Sequence, residues 1–258
     1  MQRLFVLFVV IGLLTACAQT GQKRLHSRAD WVENTPAAVN TQLGIEYLKK
    51  GMREAALGKL HKALSQDPKY PLAHTSIAIL YEQLGEKNLA ETHYKKAHQL
   101  DGSDPVNLNN YGQFLCRSGQ LEKADSMFTK ALEDPLYRYP EMVHTNAGIC
   151  SRQVPDREKA EVHFRKALSI NPKYAPALSQ MIRISFEKEN YLATRAYLQR
   201  AQEQSKLTPE FLWIGVQSEA KLGNKDEAAS YAMSLKNIYP TSTQADALLK
   251  WENYAGAH

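Results

Sequence analysis

Small and large apolar residues return along residues 37–242 with a spacing close to 34. Small residues stand at Ala56, Ala90, Ala124, Ala160, Thr194 and Ala228, in steps of 34, 34, 36, 34 and 34. Seven residues further on come Ala63, Ala97, Ala131, Ala167, Ala201 and the larger Leu235. Between the two small positions lies Leu60, Tyr94, Phe128, Phe164 or Leu198, with Ala232 as the exception. Twelve residues before the first stands Gly44, Ala78, Gly112, Gly148, Ile182 or Val216. Two helices approach closely only where neither carries a bulky side chain, and a large neighbour then fills the space beside the crossing. The pattern therefore predicts six units of two antiparallel helices.

The punctuation agrees. Gly51, Gly85, Gly119 and Gly223 stand where first helices should end, and glycine can take the left-handed conformation needed just past a helix terminus. Pro155 holds that place in the fourth unit and Glu189-Asn190 in the fifth, so those two turns are expected to be built differently. Pro68, Pro172 and Pro240 stop second helices, while Pro71, Pro105 and Pro209 suit the opening of the next unit. The units read as 37–70, 71–104, 105–138, 141–174, 175–208 and 209–242, with a two-residue insertion at Tyr139 and Pro140. One unit cannot bury enough apolar area to offset the ordering of its backbone, so neighbours must stack. Ala245, Leu248, Leu249 and Trp251 then mark 243–258 as a helix capping the last unit.

A period of 34 with this spacing resembles the tetratricopeptide repeat, most clearly in Leu43, Gly44, Tyr47, Ala56, Leu60, Ala63 and Pro68. The resemblance implies an all-α, right-handed solenoid of six repeats, with a concave face that binds other chains.

The N-terminus bears on compartment. Arg3 precedes an apolar run from Leu4 to Leu14, too short for a mature bilayer span but suited to a secretory signal. The run ends in Leu14-Thr15-Ala16-Cys17, which resembles a bacterial lipoprotein signal, with 1–16 removed and Cys17 lipidated. An ordinary signal peptide with a chance cysteine, or an uncleaved anchor, are the other readings. Ala18 and Gln19 follow in place of the aspartate that marks inner-membrane retention in such lipoproteins. The resemblance thus implies the periplasmic face of the outer membrane. Residues 17–36 read as a lipidated flexible tether with a basic cluster at Lys23, Arg24 and Arg28. Such a length reaches roughly 60 Å when extended and about 20–25 Å as a coil.

Charge changes the picture little. The formal net charge of +5 falls to +4 once Arg3 is removed, and signs alternate along the helices, as in Asp156-Arg157-Glu158-Lys159. A nucleic-acid protein concentrates basic residues on one face, so no nucleic-acid partner is expected. With Cys17 lipidated, Cys116 and Cys150 remain, near the ends of first helices in adjacent units. In an oxidising compartment they are candidates for a disulfide, the alternative being two buried thiols. No ligand cluster at metal spacing accompanies them. His61, His93 and His163 fall on second-helix positions expected to face solvent. No phosphate-cradling loop, His-Glu-x-x-His or Gly-x-Ser-x-Gly is present, and the chain is expected to have no catalytic site, cofactor, metal or small-molecule substrate.

Tetratricopeptide repeats face their ligands with the second, fifth, ninth, twelfth and thirteenth residues of each unit. In the first unit these are Ala38, Thr41, Ile45, Leu48 and Lys49, and in the second Leu72, Thr75, Ile79, Glu82 and Gln83. Ile45, Leu48, Lys49, Leu72, Thr75 and Ile79 are the expected partner-binding groove, with Ile45, Leu48, Leu72 and Ile79 as its apolar strip. Asn109, Gln113, Arg117, Arg152 and Arg183 make the rest of that face polar and basic. Other readings of the strip are that the tether folds back into it or that the register is shifted by one.

The lipoprotein signal, basic tether, six repeats and cysteine pair in units three and four, with the phrase Tyr111-Gly112-Gln113-Phe114-Leu115-Cys116, together resemble the PilF/PilW type IV pilus biogenesis lipoproteins, or pilotins. That resemblance implies a non-enzymatic role: escorting the secretin subunit to the outer membrane and promoting its assembly into the pilus pore. A general lipoprotein adaptor for outer-membrane protein assembly or cell-wall enzymes is the alternative.

Overall fold

The computed structural model describes residues 35–153 and 157–255, and every regular element among them is a helix. Six pairs follow in order: α1 (Pro36–Lys49) with α2 (Arg53–Gln66), α3 (Pro71–Gln83) with α4 (Lys87–Leu100), and α5 (Pro105–Arg117) with α6 (Leu121–Ala131). They continue as α7 (Pro140–Ser151) with α8 (Arg157–Ile170), α9 (Ala175–Glu187) with α10 (Tyr191–Gln202), and α11 (Pro209–Lys221) with α12 (Lys225–Ile238). A single helix, α13 (Thr243–Ala255), closes the series. Each pair packs on the next, and first helices also meet first helices, α1 on α3, α3 on α5 and α5 on α7.

The expected contact of small with large residues is present. Ala56, Leu60 and Ala63 are fully buried, as are Ala90 and Ala97 beside Tyr94. A methyl group added at Gly148 would stand 2.7 Å from the ring of Phe164, and one at Gly112 would stand 2.8 Å from Phe128. No side chain fits there without moving the ring, so glycine sets how closely α5 meets α6 and α7 meets α8.

Helix ends follow local chemistry. Thr35, Asp104 and Thr208 accept backbone N–H bonds at the starts of α1, α5 and α11, and proline stands in the first turn of each. Gly51, Gly85, Gly119 and Gly223 take φ of 72°, 82°, 74° and 77° past the first helices. The turn of unit five is a correction. Glu189 adopts φ 56°, and Glu189 N–H donates to Phe186 and Asn190 N–H to Ser185, as Gly51 and Met52 do to Leu48 and Tyr47. The same turn is made there by a residue that pays for it with steric strain. Pro155 lies outside the described residues.

The insertion also sits differently from the expectation. Pro140 opens α7 rather than lying between units, and α6 has only 11 residues against 14 in α2, α4, α8 and α12. The extra length is the segment 132–139, in which Tyr137 is buried and Leu136 is 86% exposed. At the C-terminal end α13 buries Ala245 and Leu248 against α11 and α12. Lys250, one period after Val216, faces solvent where earlier units carry an apolar or small residue against their second helix. A charged residue there suits a helix that has no partner beyond it.

Pro36, expected as the last residue of the tether, belongs instead to the first turn of α1, with Thr35 as its cap. The signal segment 1–16, Cys17 and the rest of the tether to residue 34 lie outside the described residues. Among those described, no helix is long and apolar enough to cross a membrane.

Candidate functional site

The expected strip begins on α1 and α3, whose outward positions the helical period sets. Ile45, Leu48, Leu72 and Ile79 are each half-buried, and Lys49 is exposed. They are not equally free. Leu72 packs against Ala37, Ala63, Tyr70 and Ala73, and Leu48 against Ala56, Leu60, Ile77 and Leu80. Ile79 packs against the buried cluster that runs from Ala78 to Cys150. Ile45 stands outside these clusters among the described residues, which makes it the cleanest outward-facing apolar side chain of the strip. Lys49 pairs with Glu46 at 2.9 Å on its own helix, and this bond holds the Glu46 carboxyl below its usual range.

Thr75 departs from the expectation. It is only 1% exposed, and its hydroxyl bonds Pro71 O and Asn107 Oδ1, the latter at 3.0 Å on α5. Its neighbour in register, Thr41, is likewise buried and donates to Ala37 O at 2.8 Å. The fifth residue of these units therefore faces the stack and offers nothing to a ligand. Conversely Ile149, the ninth residue of unit four, is 41% exposed on this face, an apolar position that the reading of a polar middle passed over. Its place one period and two residues beyond Gln113 was the available signal.

The middle of the face is polar but not basic, because each arginine meets a carboxylate of an adjacent unit. Arg117 on α5 bonds Glu82 on α3 at 2.5 Å, and Tyr94 O–H donates to the same carboxylate at 3.3 Å. Arg152, at the end of α7, donates to Glu187 at 2.9 Å and to Gln180 at 3.1 Å, both on α9. Arg183 forks onto Glu210 at 2.7 and 2.8 Å while lying over the ring of Phe211. Those hydrogen bonds hold the Glu210 carboxyl below its usual range and raise the Arg183 guanidinium further. Asn109 is buried and accepts from Asn146 at 2.9 Å. One layer deeper, Arg195 forks onto Glu219, a carboxylate that is 1% exposed and also takes a bond from Asn224.

Between the Glu82–Arg117 and Arg152–Glu187 pairs, Cys116 and Cys150 are joined as a disulfide, with Cα atoms 5.7 Å apart. Consecutive first helices are thus tied near their C-terminal ends by an ion pair, a disulfide and an ion pair. The sequence separations are 35, 34 and 35. The histidines also correct the reading. His61 is exposed, but His93 and His163 are half-buried, with their Nδ1 atoms 3.0 and 3.3 Å from those of His74 and His144. Among the described residues no group of three or more His, Cys, Asp or Glu side chains is arranged to hold a metal.

Comparison with known proteins places this geometry in context. Residues 71–135 match the family of YpiA-like, C-terminal tetratricopeptide repeats. The chain is 29% identical over 242 residues to the type IV pilus assembly protein PilF of Pseudomonas aeruginosa, across 94% of this chain and 96% of that one. A solved structure from the functional characterisation of Pseudomonas aeruginosa PilF superposes with a TM-score of 0.75, covering 83% of this chain and 97% of the other. The crystal structure of PilW, described as a widely conserved type IV pilus biogenesis factor, does so with a TM-score of 0.74 at 28% identity, over 84% and 100%.

Proposed function

We propose that this chain, a tetratricopeptide-repeat homologue of PilF and PilW, is a non-enzymatic scaffold of type IV pilus biogenesis that holds a partner chain on its N-terminal strip. The observation that carries the reading is the state of the first-helix face. Ile45, Leu48, Leu72 and Ile79 keep part of their apolar surface in water, while the arginines further along are already matched within the stack. Apolar surface left at the face of a solenoid is where association gains most, at about 25 cal/mol per Å² removed from water.

The partner in this proposal is the secretin subunit of the pilus machine, escorted to the outer membrane and helped to multimerise. The protein reaches that membrane through lipid on Cys17, a reading supported by Leu14-Thr15-Ala16-Cys17 and by Ala18-Gln19 after it. Stable attachment takes more than one acyl chain, as a lipidated N-terminal cysteine supplies.

Capture of the full chain from detergent-solubilised envelopes, with the bound protein identified, tests the partner. The secretin should be retained by the wild type and depleted with Ile45→Asp. Recovery of some other protein in its place sinks the secretin reading. Cys17→Ser should move the folded protein from the membrane to the soluble fraction, and an unmodified Cys17 in the intact mass of the native protein would refute the anchor.

A further inference from the structure

The two histidine pairs occupy the seam between the helices of units two and four. His74 on α3 faces His93 on α4, and His144 on α7 faces His163 on α8, each pair 19 residues apart. They are the fourth and twenty-third residues of their units. At the same places units three, five and six carry Leu108 with Met127, Leu178 with Tyr197, and Leu212 with Tyr231. Those leucines are all buried. Histidines therefore stand where those three units use apolar or aromatic filler, unit one carrying Asn40 and Lys59 instead.

The rings meet head-on. Their centroids are 5.2 and 5.6 Å apart, which exceeds the nitrogen separations of 3.0 and 3.3 Å by only about the width of one ring. The nitrogens thus lie between the ring centres. In the first pair, His74 Nε2 is 3.0 Å from Pro68 O, which can only accept. Nε2 therefore carries the His74 proton, Nδ1 is left as an acceptor, and His93 Nδ1–H is the donor. The contact holds with one proton between the two nitrogens. One added proton still leaves a proton between the rings, because neutral His93 can carry its own on Nε2, but a second sets two N–H groups and two charges against each other in a half-buried seam.

We propose that the two imidazole pairs are acid-labile latches, which close hairpins two and four when neutral and release them when protons are taken up. The surroundings favour the neutral state. His61 on α2, Asp67 in the turn before α3, Tyr81 on α3 and Lys96 on α4 surround the first pair. Asp125 on α6 and Lys159 and Lys166 on α8 surround the second, Lys159 being bonded to Asp125 at 2.9 Å. Each pair thus has at least one lysine neighbour and a single carboxylate. Burial first, and then the neighbouring histidine, hold His93 and His144 down at about 4, and burial also lowers His74 and His163.

The direction of the pH effect follows. An unfolded chain takes up these protons near pH 6.5, while His93 and His144 in the folded chain resist until about pH 4. The stabilisation is complete above pH 6.5 and is lost as pH falls between those values. At pH 5 each strongly shifted histidine weakens the folding equilibrium about 30-fold, or roughly 1000-fold for the two hairpins. A divalent metal is a poor substitute for the proton, because it needs both lone pairs aimed at a point beside the line joining the nitrogens. Here they are aimed at each other. Since α3 also carries Leu72 and Ile79, acid release of hairpin two would dismantle the strip. That consequence rests on the binding proposal, and the latch does not.

Denaturant titrations of the full chain at pH 7 and pH 5 test it, with no partner present. The wild type should lose about 1000-fold more of its folding equilibrium than a variant with His74→Leu, His93→Tyr, His144→Leu and His163→Tyr, the pairing of units five and six. If that variant fails to fold, His93→Gln with His144→Gln replaces the two strongly shifted rings by a polar group that cannot gain charge, and should remove most of the difference. Imidazole proton signals of His93 and His144 should titrate near pH 4. Equal acid loss in wild type and variants, or midpoints near 6.5, overturns the latch. So does stabilisation by added Zn²⁺ that the variants abolish, which would make the pairs metal ligands.

Discussion

On the first helices of units one and two the outward positions hold Ile45, Leu48, Leu72 and Ile79, whereas units three to five offer Asn109, Arg117, Arg152 and Arg183. The polar set looks more available for binding, yet it is the one already used. Glu82, Asn146, Glu187 and Glu210 take its members up one by one, and the disulfide lies among them. Leu48, Leu72 and Ile79 of the apolar set pack partly into the stack, yet all four side chains keep some surface in water. What a face offers to a partner is set by which of its groups the neighbouring units leave unsatisfied, not by its composition.

The contrast is broken most severely from inside. Phe128→Ala empties the space beside Gly112 in the stitched region, and should cost about 3–5 kcal/mol in denaturant unfolding. Removing the disulfide with Cys116→Ser and Cys150→Ser should cost roughly 3–4 kcal/mol, from the chain-entropy value of a loop of this length. Both losses should appear as a lower midpoint under non-reducing conditions, and reductant should reproduce the second. Two free thiols in the denatured, non-reduced protein would show that the tie is absent.

The division between the regions was only partly legible in the sequence. The period of 34 gave the helix pairs, the glycines gave four of the turns, and the near-equal register of Cys116 and Cys150 gave their closeness. All three depend on positions inside a unit or on a single repeat step. The ion pairs were missed because each residue was weighed by its own charge. Opposite charges one period plus one residue apart, as in Glu82 with Arg117 and Arg152 with Glu187, were the signal. The histidine pairs were missed because second-helix polarity suggested solvent, although His74 and His144 recur at one position of their units. Thr75 was misplaced since its hydroxyl is satisfied within the stack, by Pro71 and Asn107.

A smaller effect sharpens the turn comparison. Glu189 does at φ 56° what glycine does at 72–82° elsewhere, so Glu189→Gly should raise stability by about 0.5–1 kcal/mol. An unchanged or lower unfolding midpoint would mean that the glutamate side chain gives back what its backbone costs.

The account's central claim is that partner binding belongs to the open strip and not to the stitched polar surface. Its most direct measurement is the affinity of the purified partner for Ile45→Asp and for Arg152→Ala, compared with the wild type in parallel. Ile45→Asp should weaken binding about 5- to 150-fold, with its unfolding free energy changed by no more than about 0.5 kcal/mol. Arg152→Ala should bind within about threefold of wild type, since its guanidinium is engaged with Glu187 and Gln180. Normal binding by Ile45→Asp together with loss of binding by Arg152→Ala would contradict the account and move the site to the middle of the stack.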